Sequence, residues 1–261
     1  MDKKETYQLA YEGAQFYEKH FVPSIFGPWA KIMVEKLELE ESDNLLDVAC
    51  GTGIVARTAQ SQSSIEISAL DINHGMLEVA KQQNQQINWI HGSAENLPFD
   101  DNHFNKVACQ FGFMFFPDHH KTIAEMQRVT KPNGKIVISV WDTIQNNEGY
   151  AELVEIVEDI AGNESANILR SPFQLGNVDE LVTILNAYGL NHYTIVSTKA
   201  EVTFPSIENW IDCDVKASPI IQSISTDQYE SLKQIAQTKL QSYVQADGKV
   251  RFNMSAHFVS L

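Results

Sequence analysis

The stretch Leu45-Leu46-Asp47-Val48-Ala49-Cys50-Gly51-Thr52-Gly53-Ile54-Val55-Ala56 constrains this chain more than any other. An apolar run with one acidic residue inside it reads as a short buried strand, and Ile54 and Val55 begin an apolar helical face. Between them the chain must turn within a few residues. Gly51 and Gly53 permit the tight turn and the close ligand approach that a β-carbon would obstruct. Amide groups at such a strand-to-helix turn point outward without intrahelical partners, which equips the turn to hold the polar end of a nucleotide-type cofactor. An ordinary strand-to-helix turn carries the same glycines, so the reading needs a second segment.

Residues 67 to 77, Ile-Ser-Ala-Leu-Asp-Ile-Asn-His-Gly-Met-Leu, supply it, reading as a strand that ends in Asp71 before another helix. A carboxylate at the tip of the neighbouring strand is placed to accept hydrogen bonds from both hydroxyls of a ribose whose other end lies over the first loop. Gly51, Gly53 and Ala56 also satisfy the dinucleotide pattern GxGxxA, with Asp71 near the expected distance, so two cofactor classes remain open at this point. His74 sits in the connection after Asp71, either as a plain polar residue or at the edge of an adenine site.

Two further segments complete the pattern. Residues 87 to 118 contain a strand, the polar link Ser93-Ala94-Glu95-Asn96-Leu97-Pro98-Phe99 and a second strand near Lys106 to Cys109, and residues 131 to 141 supply a turn and another buried strand. With these in place the chain resembles a class I S-adenosylmethionine-dependent methyltransferase of the group related to the ubiquinone and menaquinone biosynthesis methyltransferases. The resemblance is clearest over residues 41 to 142, and fainter likenesses in residues 17 to 30 and 248 to 261 extend it over most of the chain. It implies a Rossmann-like fold with a mostly parallel seven-stranded sheet, helices on both faces and a helical cap or insertion.

Carried over residue by residue, the resemblance implies that Asp47, Ala49, Gly51 and Gly53 hold the methionine part of S-adenosylmethionine and that Asp71 holds the ribose. Ile72 would pack on one face of adenine, Ser93 and Ala94 would meet its edge, and Gln110 would line the methyl-transfer pocket. Two positions depart from the family's commonest pattern: Ala49 stands where many members have glycine, and Ser93 where many have aspartate. Ser93 offers a weaker acceptor to the adenine amino group, which bears on affinity more than on cofactor identity. S-adenosylhomocysteine would be the product.

The organisation follows from the same patterns. Residues 1 to 40 are expected to form a helical cap segment, with a helical stretch over 5 to 40 interrupted by Pro23, Gly27 and Pro28, and Trp29 is its best candidate for a pocket wall. Residues 41 to 261 form the methyltransferase domain, with helices over 143 to 172 and 206 to 245 shaping the acceptor pocket. Asn177 is a candidate helix N-cap and Gly189 a candidate stop. Residues 192 to 204 and about 249 to 260 read as the last two strands, which the resemblance pairs as an antiparallel hairpin at one end of the sheet.

Composition narrows the partners. A formal charge of −15, from 34 acidic and 19 basic residues, disfavours a long contact with nucleic-acid phosphates or attachment to anionic membranes and favours a small-molecule acceptor. Three scattered cysteines, Cys50, Cys109 and Cys213, give neither a disulfide framework nor a local metal-ligand pattern, so no metal is expected. No run reads as a signal peptide or a membrane span, and a cytoplasmic protein without stable membrane insertion is the expectation. Oligomeric state is unreadable.

A sulfonium-bound methyl group is already electrophilic, so the protein's main task in such a reaction is to align the acceptor and exclude water. No catalytic residue is assigned; His119 and His120, after the fourth strand, are candidate proton acceptors or else solvated residues at a helix start. The acceptor atom, oxygen, nitrogen or carbon, has no readable code. Two alternatives remain: an NAD(P)-dependent oxidoreductase, which would need a Tyr-Lys or similar hydride-transfer pair, and a catalytically inactive cofactor-binding regulatory protein.

Overall fold

The computed structural model describes residues 9–190 and 192–261, so the first residues of the expected N-terminal helix lie outside the described residues. The strand read from Leu45-Leu46-Asp47-Val48 is β1, Asn44–Val48. Its buried neighbours are β2, Glu66–Asp71, and β4, Phe104–Gln110, both parallel to it, with β3, Asn88–His91, beside β2. β5, Thr130–Trp141, continues the parallel set next to β4. The strands β6, Thr194–Phe204, and β7, Val250–Ser260, close the sheet, with β7 antiparallel to both β5 and β6.

The order is therefore β3-β2-β1-β4-β5-β7-β6, seven strands in one mixed sheet. "Mostly parallel" holds from β3 through β5, and the antiparallel β7 inserted between β5 and β6 makes the sheet as a whole mixed rather than parallel. Leu45, Leu46, Asp47 and Val48 are all buried, as are Val107, Ala108 and Cys109, and consecutive buried residues in a strand mean that both faces of the sheet are covered.

One turn expected before β5 survives inside it. Phe104 pairs with Thr130 and Lys106 with Lys135, so Lys131-Pro132-Asn133-Gly134 loops out of the ladder as a bulge. Pro132 has no amide hydrogen to donate to the ladder, which fits its exclusion from the pairing.

The helices follow their local signals. α1, Tyr11–Phe16, runs into a π-helical stretch, Tyr17–Phe26, and then α2, Gly27–Leu37. Pro23 cannot donate and its ring crowds the carbonyl four residues back, so an α-helix is disfavoured there. The wider winding is marked by the Gly27 amide donating to the Val22 carbonyl, five residues back. α3, Ile54–Gln62, and α4, His74–Gln83, follow β1 and β2, and α5, His119–Val129, follows β4.

α6, Glu148–Arg170, is broken at Gly162, where φ is 81°. α7, Val178–Ala187, is capped by Asn177, whose side chain accepts from the Asp179 and Glu180 amides, and Gly189 follows its end with φ 74°. α8, Ile207–Lys216, and α9, Thr226–Lys239, lie between the last two strands.

The strand order reverses direction between β1 and β4, because β2 and β3 extend to one side and β4 and β5 to the other. Loops at the carboxyl ends of strands on either side of such a switch point diverge and leave a crevice between them. The loop after β1 crosses this crevice through three left-handed residues, Ala49 with φ 55°, Gly51 with φ 56° and Gly53 with φ 84°. Glycine is the residue with no steric cost there, so Ala49 bears a strain of about 1 to 2 kcal/mol.

Its methyl group also occupies space beside Gly112, where an added β-carbon would stand 2.6 Å from the Ala49 Cβ. Gly112 has φ −99° and ψ −32°, values any residue adopts, so it is contact and not conformation that demands glycine, the Ala49 methyl foremost, with the Cys109 sulfur 3.3 Å away. Gly112→Ala is expected to lower unfolding free energy by about 1 to 3 kcal/mol. In the Ala49→Gly background the same substitution is expected to cost less by about 1 kcal/mol or more. Urea denaturation of the four proteins measures this coupling, and additive costs would refute it.

Candidate functional site

A cavity of about 320 Å³ opens at the carboxyl edge of the sheet, and its wall can be followed strand by strand. From the loop after β1 come Ala49 and Gly51; from the end of β2, Asp71, Ile72 and Asn73. Gly92, Ser93, Ala94 and Glu95 follow β3, while Gln110, Phe111, Gly112, Phe115 and Phe116 lie at and beyond the end of β4. Trp141, at the end of β5, and Met254 of β7 continue the wall.

Asp71 ties two of these turns together. Its Oδ2 accepts from the Gly51 amide at 2.7 Å and its Oδ1 from the Asn73 amide at 2.8 Å. Each oxygen keeps a lone pair beyond these bonds. Burial raises the carboxyl's pKa, with the Asn73 and Gly51 amides opposing that shift. Asn73 adds a donor that the sequence reading did not identify. Its Oδ1 caps α4 by accepting from the Met76 amide, while its Nδ2 is buried without a hydrogen-bond partner.

Ile72 is 37% exposed, an unusual state for a large apolar residue, and its exposed surface faces the cavity. Ser93 Oγ accepts from the Glu95 amide, which holds the link after β3 in a turn. Gln110 donates from Nε2 to the Phe26 carbonyl, and its buried Oε1 has no partner.

Asp47 and Gly53 stand behind the cavity wall rather than in it. Asp47 Oδ2 accepts from the Ala56 amide at 3.1 Å and so caps α3, whose N-cap residue, Gly53, has no side chain to do this. Burial pushes the Asp47 carboxyl up to about 7. A β-carbon on Gly53 would lie 2.1 Å from the Trp89 ring, which covers the turn from outside and is held by its own indole bond to the Asn84 carbonyl.

The expected histidines lie elsewhere. Among the described residues lining the cavity, Phe115, Phe116 and Pro117 take the place expected for His119 and His120. His119 packs on Phe113 with ring centroids 4.6 Å apart, and His120 lies beside Tyr188 at 5.1 Å. His74 stacks on His91 at 3.8 Å, outside the wall. Trp29 is fully buried behind the wall, edge-on to Phe111 and Trp141; Tyr17, Phe21 and Phe26 of the π-helical stretch line the cavity instead.

The far end of the cavity is built by helices. Tyr150, Leu169 and Pro172 come from the region after β5, and Asp214, Ala217 and Ser218 from α8 and its end. Phe111 and Trp141 stack at 3.7 Å, Phe173 lies 6.5 Å from Trp141, and Tyr150 lies 5.6 Å from Phe173. An aromatic wall thus runs from the end of β4 to the Tyr150 hydroxyl, which donates to Asp214 Oδ2 at 3.3 Å.

Neither Tyr150 nor Asp214 was identified from sequence, although a signal was present. Ile207, Trp210, Ile211 and Asp214 occupy successive positions of one helical stripe, and an acidic residue on an apolar stripe is the anomaly.

The charges of the wall are one-sided. Its ionisable side chains among the described residues include the carboxyls Asp71, Glu95 and Asp214, with no lysine, arginine or histidine. The chain does contain a Tyr-x-x-x-Lys spacing that the sequence reading passed over, Tyr229 with Lys233 on α9. Tyr229 donates to Asp212, Lys233 pairs with Glu230 and Glu208, and neither side chain lines the cavity.

Residues 46–138 match the family model described as a methyltransferase domain. Among curated relatives, the demethylmenaquinone methyltransferase of Paenarthrobacter aurescens is 36% identical over 148 residues, covering 54% of this chain and 58% of that protein. The Staphylococcus epidermidis protein of the same name is 36% identical over 126 residues, covering 46% of this chain and 50% of its own. The chain thus spans only about half the length of the curated relatives it matches.

Among solved structures, the Haemonchus contortus phosphoethanolamine N-methyltransferase 2 in complex with phosphomonomethylethanolamine and S-adenosylhomocysteine aligns with TM-score 0.59. It is 19% identical, over 96% of this chain and 56% of that chain, a likeness of fold.

The Asp47 carboxyl generates a test of the turn. In the unfolded chain it titrates near about 4, and in the folded chain near 7, so the folded state holds the extra proton between those values. Unfolding free energy from this group therefore falls as pH rises through that window. Asp47→Asn keeps an oxygen for the Ala56 amide and removes the titration. Its stability is expected to gain on the wild type by about 1 to 3 kcal/mol between about pH 5 and about pH 8. Urea denaturation at each pH reads the difference, and parallel curves would dissociate Asp47 from it.

Proposed function

We propose that this chain, whose residues 46–138 match a methyltransferase domain, is a class I methyltransferase that binds S-adenosylmethionine and transfers its methyl group to a small, largely apolar molecule. The observation that carries this reading is the wall's charge. S-adenosylmethionine brings a sulfonium cation, whereas a nicotinamide dinucleotide brings a pyrophosphate. A wall that carries the Asp71 and Glu95 carboxyls and, among the described residues, no basic side chain is electrostatically suited to the first and opposed to the second. The strand order argues the same way, since the dinucleotide-binding sheet has the order 3-2-1-4-5-6, whereas this sheet inserts an antiparallel strand before its last.

The residues fit the ligand in parts. Asp71 offers its free lone pairs to the ribose hydroxyls, Ile72 offers an apolar face to adenine, and Ser93 and Ala94 border the ring's edge. Ala49 and Gly51 bring the backbone of the turn to the methionine part, with Gly53 and Asp47 holding that turn from behind. Gln110 presents its unpartnered Oε1 on the cavity wall, at the end of β4. The sulfonium supplies an electrophilic methyl group when bound; the chain's contribution is to orient the acceptor and exclude water. His119 and His120 have no part in this reading.

The relatives' printed name, demethylmenaquinone methyltransferase, supports a quinone-like ring as the acceptor. The wall agrees, being aromatic and, among the described residues, without a cation for a phosphate such as that of phosphomonomethylethanolamine. A chain with a formal charge of −15 is also poorly suited to nucleic acid. Among the described residues, no helix is long and apolar enough to cross a membrane.

Calorimetric titration with S-adenosylmethionine, S-adenosylhomocysteine and NADH tests the reading. The first two are expected to bind and NADH is not; NADH binding alone would replace the proposal with an oxidoreductase. Binding without turnover of any acceptor would leave a regulatory protein. Asp71→Ala is expected to weaken S-adenosylmethionine binding by about 1 to 3 kcal/mol, through loss of charge-assisted ribose bonds and release of the Gly51 amide.

A further inference from the structure

Tyr150 and Asp214 are polar groups of the helical end of the cavity that the cofactor reading leaves unused; Ser218, also there, donates to the Asp214 carbonyl and accepts from the Ile220 amide. Tyr150 and Asp214 lie 64 residues apart in sequence and meet at 3.3 Å on the cavity wall, Tyr150 6% exposed and Asp214 5% exposed. Each occupies a stripe otherwise filled by apolar side chains: Leu153, Val154 and Val157 accompany Tyr150 on α6, and Ile207, Trp210 and Ile211 accompany Asp214 on α8. Burying a carboxyl there costs free energy that a leucine would not. A carboxyl has about four lone-pair sites. Tyr150 is its one side-chain bond of resolved geometry, with the Trp210 indole also against it.

We propose that Tyr150 and Asp214 anchor the methyl acceptor, and that this acceptor is an uncharged, ring-shaped apolar molecule whose hydroxyl meets the Asp214 carboxyl. The inference rests on reading the cavity as a methyl-transfer site and names the acceptor class for it. Three features define that class. Trp141 and Phe173 offer flat apolar faces between the strand ends and the pair. Among the described residues, the wall includes no basic side chain that would hold a phosphate or carboxylate.

Burial pushes the Asp214 carboxyl up to about 8, so at neutral pH it is largely uncharged and does not draw in an ammonium group. A hydroxyl both donates and accepts, and therefore satisfies the carboxyl in either protonation state.

The test uses two aromatic probes of nearly equal shape, β-naphthol and β-methylnaphthalene, titrated by fluorescence against the full chain. Wild type is expected to prefer the naphthol by about tenfold, the effect of one buried hydrogen bond to a carboxyl. Asp214→Leu, which replaces a buried carboxyl by an apolar side chain of similar size, is expected to abolish the preference, and Tyr150→Phe to reduce it about threefold. Equal binding of both probes to wild type, or a preference that survives in Asp214→Leu, would overturn the proposal.

Should Asp214→Leu lose cooperative unfolding, Tyr150→Phe decides, and an undiminished preference there counts against the pair. S-adenosylhomocysteine affinity is read on the same samples and separates the two levels. Its absence in wild type sinks the methyltransferase reading, whereas its retention beside a missing naphthol preference sinks the anchor alone.

Discussion

The hydrogen bond from the Gly51 amide to Asp71 Oδ2 joins the ends of two adjacent strands, and the site is arranged around it. Parallel pairing sets β1 beside β2, but it does not fix the loops beyond their ends. The loop after β1 passes through three left-handed residues, a conformation local preference does not hold in place. The Asp71 carboxyl supplies the missing constraint on one side, and Asp47, bonded to the Ala56 amide, supplies it on the other. Two buried acidic groups thus hold a single turn from both sides.

The antiparallel strand contributes more than an edge to the sheet. Ser255 of β7 donates its hydroxyl to Asp142 and its amide to the Asn147 side chain, fastening both ends of the short connection between Trp141 and Tyr150. His257, two residues on, meets the Gly176 carbonyl and Ser197 Oγ and so ties β6 and the segment before α7 to the same place. The aromatic wall is therefore positioned by a polar network buried on the far side of β5. That network is structural, and it accounts for why a surface made largely of helices holds a fixed shape beside the strand ends.

What was legible in the sequence was local. The turn at Gly51 and Gly53, the strand ending in Asp71, the link at Ser93 and Ala94, the cap at Asn177 and the stop at Gly189 each depend on a few consecutive residues. The Tyr150 and Asp214 contact depends on how α6 and α8 approach one another, and no short pattern encodes that. His119 and His120 were expected near the cavity because they follow β4, but the turn at Phe113–Phe115 and Pro117 intervenes and fills the wall with aromatic side chains. Trp29 stands in a run of aromatic residues, and which of them face the cavity depends on the phase of the winding.

That phase follows from the π-helical stretch. Tyr17 and Phe26 are nine positions apart, about two and a half turns of an α-helix, which would set them on opposite sides. Winding each turn over an extra residue brings positions 17, 21 and 26 to one side, where Tyr17 and Phe26 stack at 5.0 Å. The cavity's roof is consequently a property of pitch as much as of composition: the same aromatic residues on an α-helix would divide between the cavity and the opposite side. Pro23, which forbids the tighter pitch, sets which rings face inward without touching any of them across the cavity.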